Sequence, residues 1–254
     1  MRCVPFTFQH ALKYCLFGGI QQGISVFFTM TTPHTIAIDG PAASGKSTLG
    51  KLLADHFGYI YFDTGVLYRA LTYVALEQAV DLADAAALAK LAQTSNFEVL
   101  PPTIADGRQY TVLANGEDIT WPLRAANVER NVSQVAAQSA VREALRDIQR
   151  QIGKAGHVVM AGRDIGAVIL PDAQLKIYLD ASVEERAQRR AQELNARGRS
   201  ISYREVLDDL TRRDAKDAAN TFLAADAITI TTDGRSPEEV FQAILGLIGV
   251  EAQA

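Results

Sequence analysis

The stretch Thr35 to Leu49, TIAIDGPAASGKSTL, limits what this chain can become more than any other. Thr35 to Ile38 is a short apolar run that reads as a fully buried strand. The chain breaks at Gly40 and re-enters a helix at Ser47 or Thr48. Gly40, four residues and then Gly45-Lys46-Ser47 give the full spacing of a phosphate-binding loop. Glycine lets the backbone curl so that successive N–H groups face one anion. The helix that starts there adds its positive dipole end. The expected triphosphate site is therefore Gly40, Pro41, Ala42, Ala43, Ser44, Gly45, Lys46, Ser47 and Thr48. Lys46 should reach the β and γ phosphates, and the Ser47 hydroxyl should serve Mg²⁺.

The chain has 254 residues, enough for one large domain with an insert. A net charge of −4 argues against a general nucleic-acid surface. The two cysteines, Cys3 and Cys15, both precede the loop, so the main body has no disulfide, thiolate or cysteine-zinc chemistry. A reducing, cytoplasmic setting and a monomer are the expectations. Tyr14 to Met30 is fairly apolar, but Gly18, Gly19, Gln21, Gln22, Gly23 and Ser25 interrupt it below membrane length. Residues 1–32 read as a poorly ordered extension, with Met30 an alternative start, and 33–254 as the working domain.

Beyond the loop, strand and helix signals alternate. Ser47 to Phe57 is a helix stopped by Gly58, and Tyr59 to Phe62 a strand leading into Asp63-Thr64-Gly65 and another helix. Ala85 to Gln93 is a short helix. Between about 95 and 125 the pattern shifts to a two-residue period, with strands at Phe97–Leu100, Gln109–Leu113 and Glu117–Thr120 and an Asn115-Gly116 turn. Asn127 to Gln151 reads as one helix. Strands at His157–Ala161, Leu175–Leu179 and Ala227–Thr231 follow. Ser182 with Glu185 and Ser202 with Glu205 read as capping boxes, and Ser236-Pro237 with Glu239 opens the closing helix. Five buried strands among helices predict an α/β fold with a parallel sheet covered on both faces, a small antiparallel insert, and ligands at the strand carboxyl ends.

Three features suggest a second, phosphate-bearing ligand. Thr64 and Arg69 flank a helix start, where a guanidinium fork and N–H groups suit an anion. Gly162-Arg163-Asp164 puts a charged pair directly after a buried strand. Arg186, Arg189, Arg190, Arg197, Arg199, Arg204, Arg212 and Arg213 crowd two helices, about 183–220, that could close over a triphosphate as a lid. Each feature alone also fits a cap, a surface ion pair or a solvated helix face.

Taken together, the segments IDGPAASGKST, DTGVLYRA, NVSQVAAQSAVREAL, AGRDIG, LKIYLDAS, EERAQRR and RRDAKD resemble the bacterial cytidylate (CMP/dCMP) kinases, from Thr35 to the C-terminus. The resemblance implies an adenylate-kinase-like phosphate-loop fold and transfer from ATP, with Mg²⁺, to CMP or dCMP. It implies Thr64 and Arg69 near the acceptor nucleotide, and Ser133, Arg142 and Asp164 reading cytosine. It implies Arg163 on phosphate and Arg213 and Asp217 near the sugar or phosphate. Lys46, Arg163, Arg186 and Arg190 are expected to neutralise the transferring phosphoryl group. Cytosine offers an N4 donor with N3 and O2 acceptors, which a carboxylate and neighbouring donors match and uracil does not. After Asp217 the family pattern leads to expect another arginine and a proline-containing stretch; here Ala218 to Leu223 is shorter and has neither. The acceptor phosphate has a second pKa of about 6, so no general base is needed. Two rivals stand beside this reading: a kinase of another acceptor such as UMP or shikimate, and a nucleotide-binding regulator without turnover. A GTPase switch is disfavoured because the chain has no Asn-Lys-x-Asp motif.

Overall fold

A computed structural model describes residues 32–249, so the expectation for the N-terminal extension lies outside the described residues. Five parallel strands form the central sheet: β1 (Thr35–Asp39), β2 (Ile60–Asp63), β6 (Val158–Gly162), β7 (Leu175–Asp180) and β8 (Ile228–Thr231). Their spatial order is β2-β6-β1-β7-β8. β1 therefore lies at the centre, with Asp39 opposite Gly162 of β6, and the loops after both strands leave the same edge.

Alternation along β1 explains the layers. Ile36 and Ile38 point to one face, where Leu49 and Leu53 of α1 (Lys46–Phe57) and Phe241 and Ile244 of α8 (Pro237–Leu247) cover them. Ala37 points to the other face and a second core, filled from α2 (Gly65–Glu77), α3 (Ala85–Thr94), α4 (Ala126–Ala136) and α5 (Ser139–Lys154). Both faces are buried, as parallel strands require.

The antiparallel insert is β3 (Phe97–Leu100), β4 (Thr111–Ala114) and β5 (Glu117–Asp118). Asn115 and Gly116 both have positive φ, 52° and 85°, as the two-residue turn demands. β4 starts later and β5 ends sooner than alternation suggests. Thr120 turns its hydroxyl inward to accept from the Val112 N–H instead of extending the strand.

Two expectations are corrected. The single helix over Asn127–Gln151 is two, broken at Ala137-Gln138, where Gln138 is extended and its amide donates to the Leu82 carbonyl at 2.8 Å. Ser182 makes only half a capping box: its hydroxyl accepts from Glu185, but its own N–H donates to Asp233. The helices α6 (Val183–Ala196) and α7 (Tyr203–Asp217) form an antiparallel pair with their own small core. Ala42 of the phosphate loop belongs to that core, which fixes the pair against the loop.

Candidate active site

The loop between β1 and α1 owes its shape to backbone constraints. Gly40 has φ 145°, and a Cβ there would meet the Leu179 carbonyl oxygen at 2.3 Å. Gly45 (φ 97°) and Ala43 (φ 60°) also take left-handed conformations. Ala43 is not a glycine, so its conformation stores strain at the site. Lys46 curls over the loop, donating from Nζ to the carbonyls of Gly40 (2.8 Å) and Pro41. Burial of that amine, and then the Arg163 guanidinium, push it well below its ordinary range; Asp63, Asp39 and Asp217 pull the other way.

A cleft of about 540 Å³ opens above this loop at the carboxyl edge of the sheet. Ala42 to Thr48 line it on one side. On the other, Thr64, Arg69, Ser133, Arg142, Arg163, Asp164, Arg213 and Asp217 line the same cleft, together with Arg190. Residues that sequence reading spread over more than 150 positions thus face one space.

Acidic partners organise the cations of this second set. Arg142 Nη2 donates to Asp164 Oδ2 at 2.8 Å, and its guanidinium lies 5.6 Å over the Tyr68 ring. Arg163 donates through Nε and Nη2 to Asp217 Oδ2 and through Nη1 to the Gly40 carbonyl, each at 3.0 Å. Arg69 donates to Glu129 at 3.1 Å. The buried Thr64 hydroxyl donates to the Ala161 carbonyl at 3.1 Å, so Thr64 supports the β2–β6 junction as well as lining the cleft.

Arg186 is placed differently from its expected role. It is 4% exposed and does not line the cleft. Its guanidinium donates to both Asp214 oxygens and to the Ala42 carbonyl, and its Nε to Ala181. It braces the phosphate loop from behind. Arg190 does line the cleft, paired with Glu193 at 2.7 Å. Gly40 and Pro41 give carbonyls to Lys46 rather than wall to the cleft.

Polar side chains that line the cleft without an expected role are Asp63, Tyr68, Lys51, Glu193 and Asn220, while Arg197 is the further member of the lid arginines that reaches it. Asp63 and Tyr68 sit in the DTG segment and were within reach of the motif; Asn220 sits in the segment that departs from the family pattern, where no motif points.

Ser47, at the start of α1, lines the same cleft as Asp63 and Asp164. This set of hard oxygen donors fits Mg²⁺. Among the described residues no three His, Cys, Asp or Glu side chains gather as a metal cage, so such an ion would rely on phosphate oxygens and water as well.

A family model described as cytidylate kinase matches residues 36–249. The cytidylate kinase of Roseiflexus castenholzii is 52% identical over 220 residues, covering 86% of this chain and 95% of that one. That of Chloroflexus aggregans is 51% identical over 225 residues, covering 89% and 98%. That of Bacillus subtilis is 44% identical over 215 residues, covering 83% and 94%. The shikimate kinase of Acinetobacter baumannii aligns in structure at a TM-score of 0.41, with 18% identity over 86% of this chain and 94% of that one. The phosphate loop, the shared cleft and the match over residues 36–249 lead to one conclusion: this chain belongs to the cytidylate kinase family.

Proposed function

We propose that this chain phosphorylates CMP and dCMP at the expense of ATP. The observation that carries the reading is the single cleft lined by both the phosphate loop and the acceptor set. Two anions held on opposite walls of one space are what direct phosphoryl transfer needs, because in-line geometry supplies most of the catalysis.

The triphosphate lies along the N–H groups of residues 42–48, with Lys46 leaving its two carbonyls for the β and γ phosphates. Asp164 and Arg142, already held together at 2.8 Å, present an acceptor and a donor to the cytosine edge, with Ser133 beside them on α4. Uracil would leave at least one of these buried polar groups facing its own kind. Arg163 and Arg69 take the acceptor phosphate, while Arg213 and Asp217 face the sugar side. An attacking phosphate oxygen is already ionised near neutral pH, so no side chain has to remove a proton. Arg190 and Arg163 offset the charge of the transferring group. Magnesium, when bound with the nucleotide, would share the Ser47 hydroxyl and reduce the charge on the phosphates. The helix pair α6–α7, which brings Arg190, Arg213 and Asp217 to the cleft, serves as the lid. Among the described residues no helix is long and apolar enough to cross a membrane.

The test is ADP production with CMP, dCMP, UMP and AMP compared side by side. Strong turnover with CMP and dCMP and weak turnover with UMP is the expected result. Equal rates with UMP would overturn the base-reading assignment, and nucleotide binding without ADP release would favour a regulator.

A further inference from the structure

Asp39 ends β1 one residue before the phosphate loop, and none of the roles above uses it. It is 4% exposed. Its Oδ1 accepts from the Ile165 N–H and its Oδ2 from the Gly166 N–H, both at 2.8 Å. Those N–H groups open the wide helical turn Ile165–Ile169, directly after Arg163 and Asp164. One carboxylate thus joins the strand that carries the donor loop to the loop that carries the acceptor residues. The bond from Arg163 Nη1 to the Gly40 carbonyl runs across the same junction.

We propose that Asp39 is a positioning residue for the acceptor site: its carboxylate grips Ile165 and Gly166 so that Arg163 and Asp164 face the cleft at a fixed distance from the phosphate loop. The inference rests on the acceptor assignment made above.

Only an ionised carboxylate accepts through both oxygens and donates through neither; an asparagine amide would turn one donor against another. Ionisation costs more in the folded chain than in the unfolded one. Desolvation by burial pushes Asp39 up from 3.8 to about 6, against the pull of the Gly166 and Ile165 N–H groups. The charged groups acting on it are Asp164 from its own clamp and Lys46 from α1; Lys176 of β7 passes its stem beside Gly166 but gives its ammonium to Asp226. Because the folded value lies above the unfolded one, the stabilising contribution of this group is complete below about 3.8 and lost as pH rises through about 6. At neutral pH the carboxylate therefore weakens the fold while gripping the acceptor loop. That is the pattern of a residue held for function rather than for stability.

The test compares Asp39→Asn with the parent enzyme in the full chain. The expected result is a KM for CMP raised at least about tenfold and a smaller CMP-to-UMP ratio of kcat/KM, with the KM for ATP moved by less than about twofold. Gly166→Ala probes the same clamp without a change of charge, since its Cβ would meet Lys176 at 3.2 Å and Asp39 Oδ2 at 3.4 Å. It should shift the ratio in the same direction by a smaller factor, and it decides the matter if Asp39→Asn does not fold. A pH series adds a readout that a purely structural role would not move. CMP and UMP carry the same ionising phosphate, so their ratio cancels it. In the parent enzyme the ratio should fall as pH drops below about 6, while in Asp39→Asn it should be low and flat. A parental ratio in both variants, or equal losses on the ATP and CMP sides, overturns the inference while leaving the kinase reading in place. Parent enzyme that releases no ADP with CMP overturns both.

Discussion

The two walls of the cleft are built on different principles. The donor wall is a contiguous run, residues 42–48, shaped by glycine and alanine conformations and a helix start; its polar atoms are mostly backbone. The acceptor wall is assembled from α2, α4, α5, the β6 loop and α7, and its polar atoms are side chains held in acid–base pairs. A backbone site depends on local geometry, so its demands fall on the glycines that set the curl, the lysine that reaches over it and the spacing between them. A side-chain site depends on the whole fold delivering each partner, and one altered segment can change its selectivity without touching the chemistry.

That contrast can be broken or sharpened by substitution. The largest effect belongs to Lys46→Ala, which should lower kcat by about 10³-fold with the melting temperature little changed. A coupled ADP assay beside a thermal melt checks it, and a near-normal rate would remove Lys46 from the mechanism. Arg142→Ala should come next, costing about a hundredfold in kcat/KM for CMP because Asp164 loses its partner, with the KM for ATP nearly constant. Initial rates with each substrate varied in turn separate the two walls; a matched loss on both would erase the distinction.

Arg186→Met should act on stability rather than turnover. Breaking its pair with Asp214, which is 30% exposed, should cost about 2 kcal/mol in urea unfolding. A collapse of kcat with stability intact would return Arg186 to the reacting phosphoryl group. The smallest effect is expected from Asn220→Arg. A cation at this cleft-lining position should tighten CMP by a factor of about three to ten, on the order of 1 kcal/mol. Measured with CMP and dCMP, an unchanged KM for both would mean that the segment after Asp217 has no part in acceptor binding.

The same contrast explains what could be read from sequence. The donor loop was legible because its physics is local and its residues adjacent. So was β3, whose bounds match alternation, and the turn at Asn115-Gly116, whose conformations only such residues adopt readily. The break at Ala137-Gln138 was not legible, since neither residue is a helix breaker. It is imposed by distant partners: Gln138 reaches Leu82, and Arg142 Nη1 donates at 3.5 Å to the Ala136 carbonyl at the broken end. The inward placement of Arg186 was hidden for a related reason. In a row of arginines, sequence alone does not separate the one facing inward against Asp214 from those facing the cleft. Asp39 escaped notice because its partners are backbone N–H groups 126 and 127 residues away.

The pairing of Arg163 with Asp217 has a consequence for how tightly an acceptor is held. A phosphomonoester that takes this guanidinium must displace a carboxylate from it, so binding there is an exchange of one anion for another. The affinity gained is a difference between two pairings, and added salt screens both alike. On the proposed reading, a diphosphate product would leave by the reverse trade, with Asp217 reclaiming Arg163.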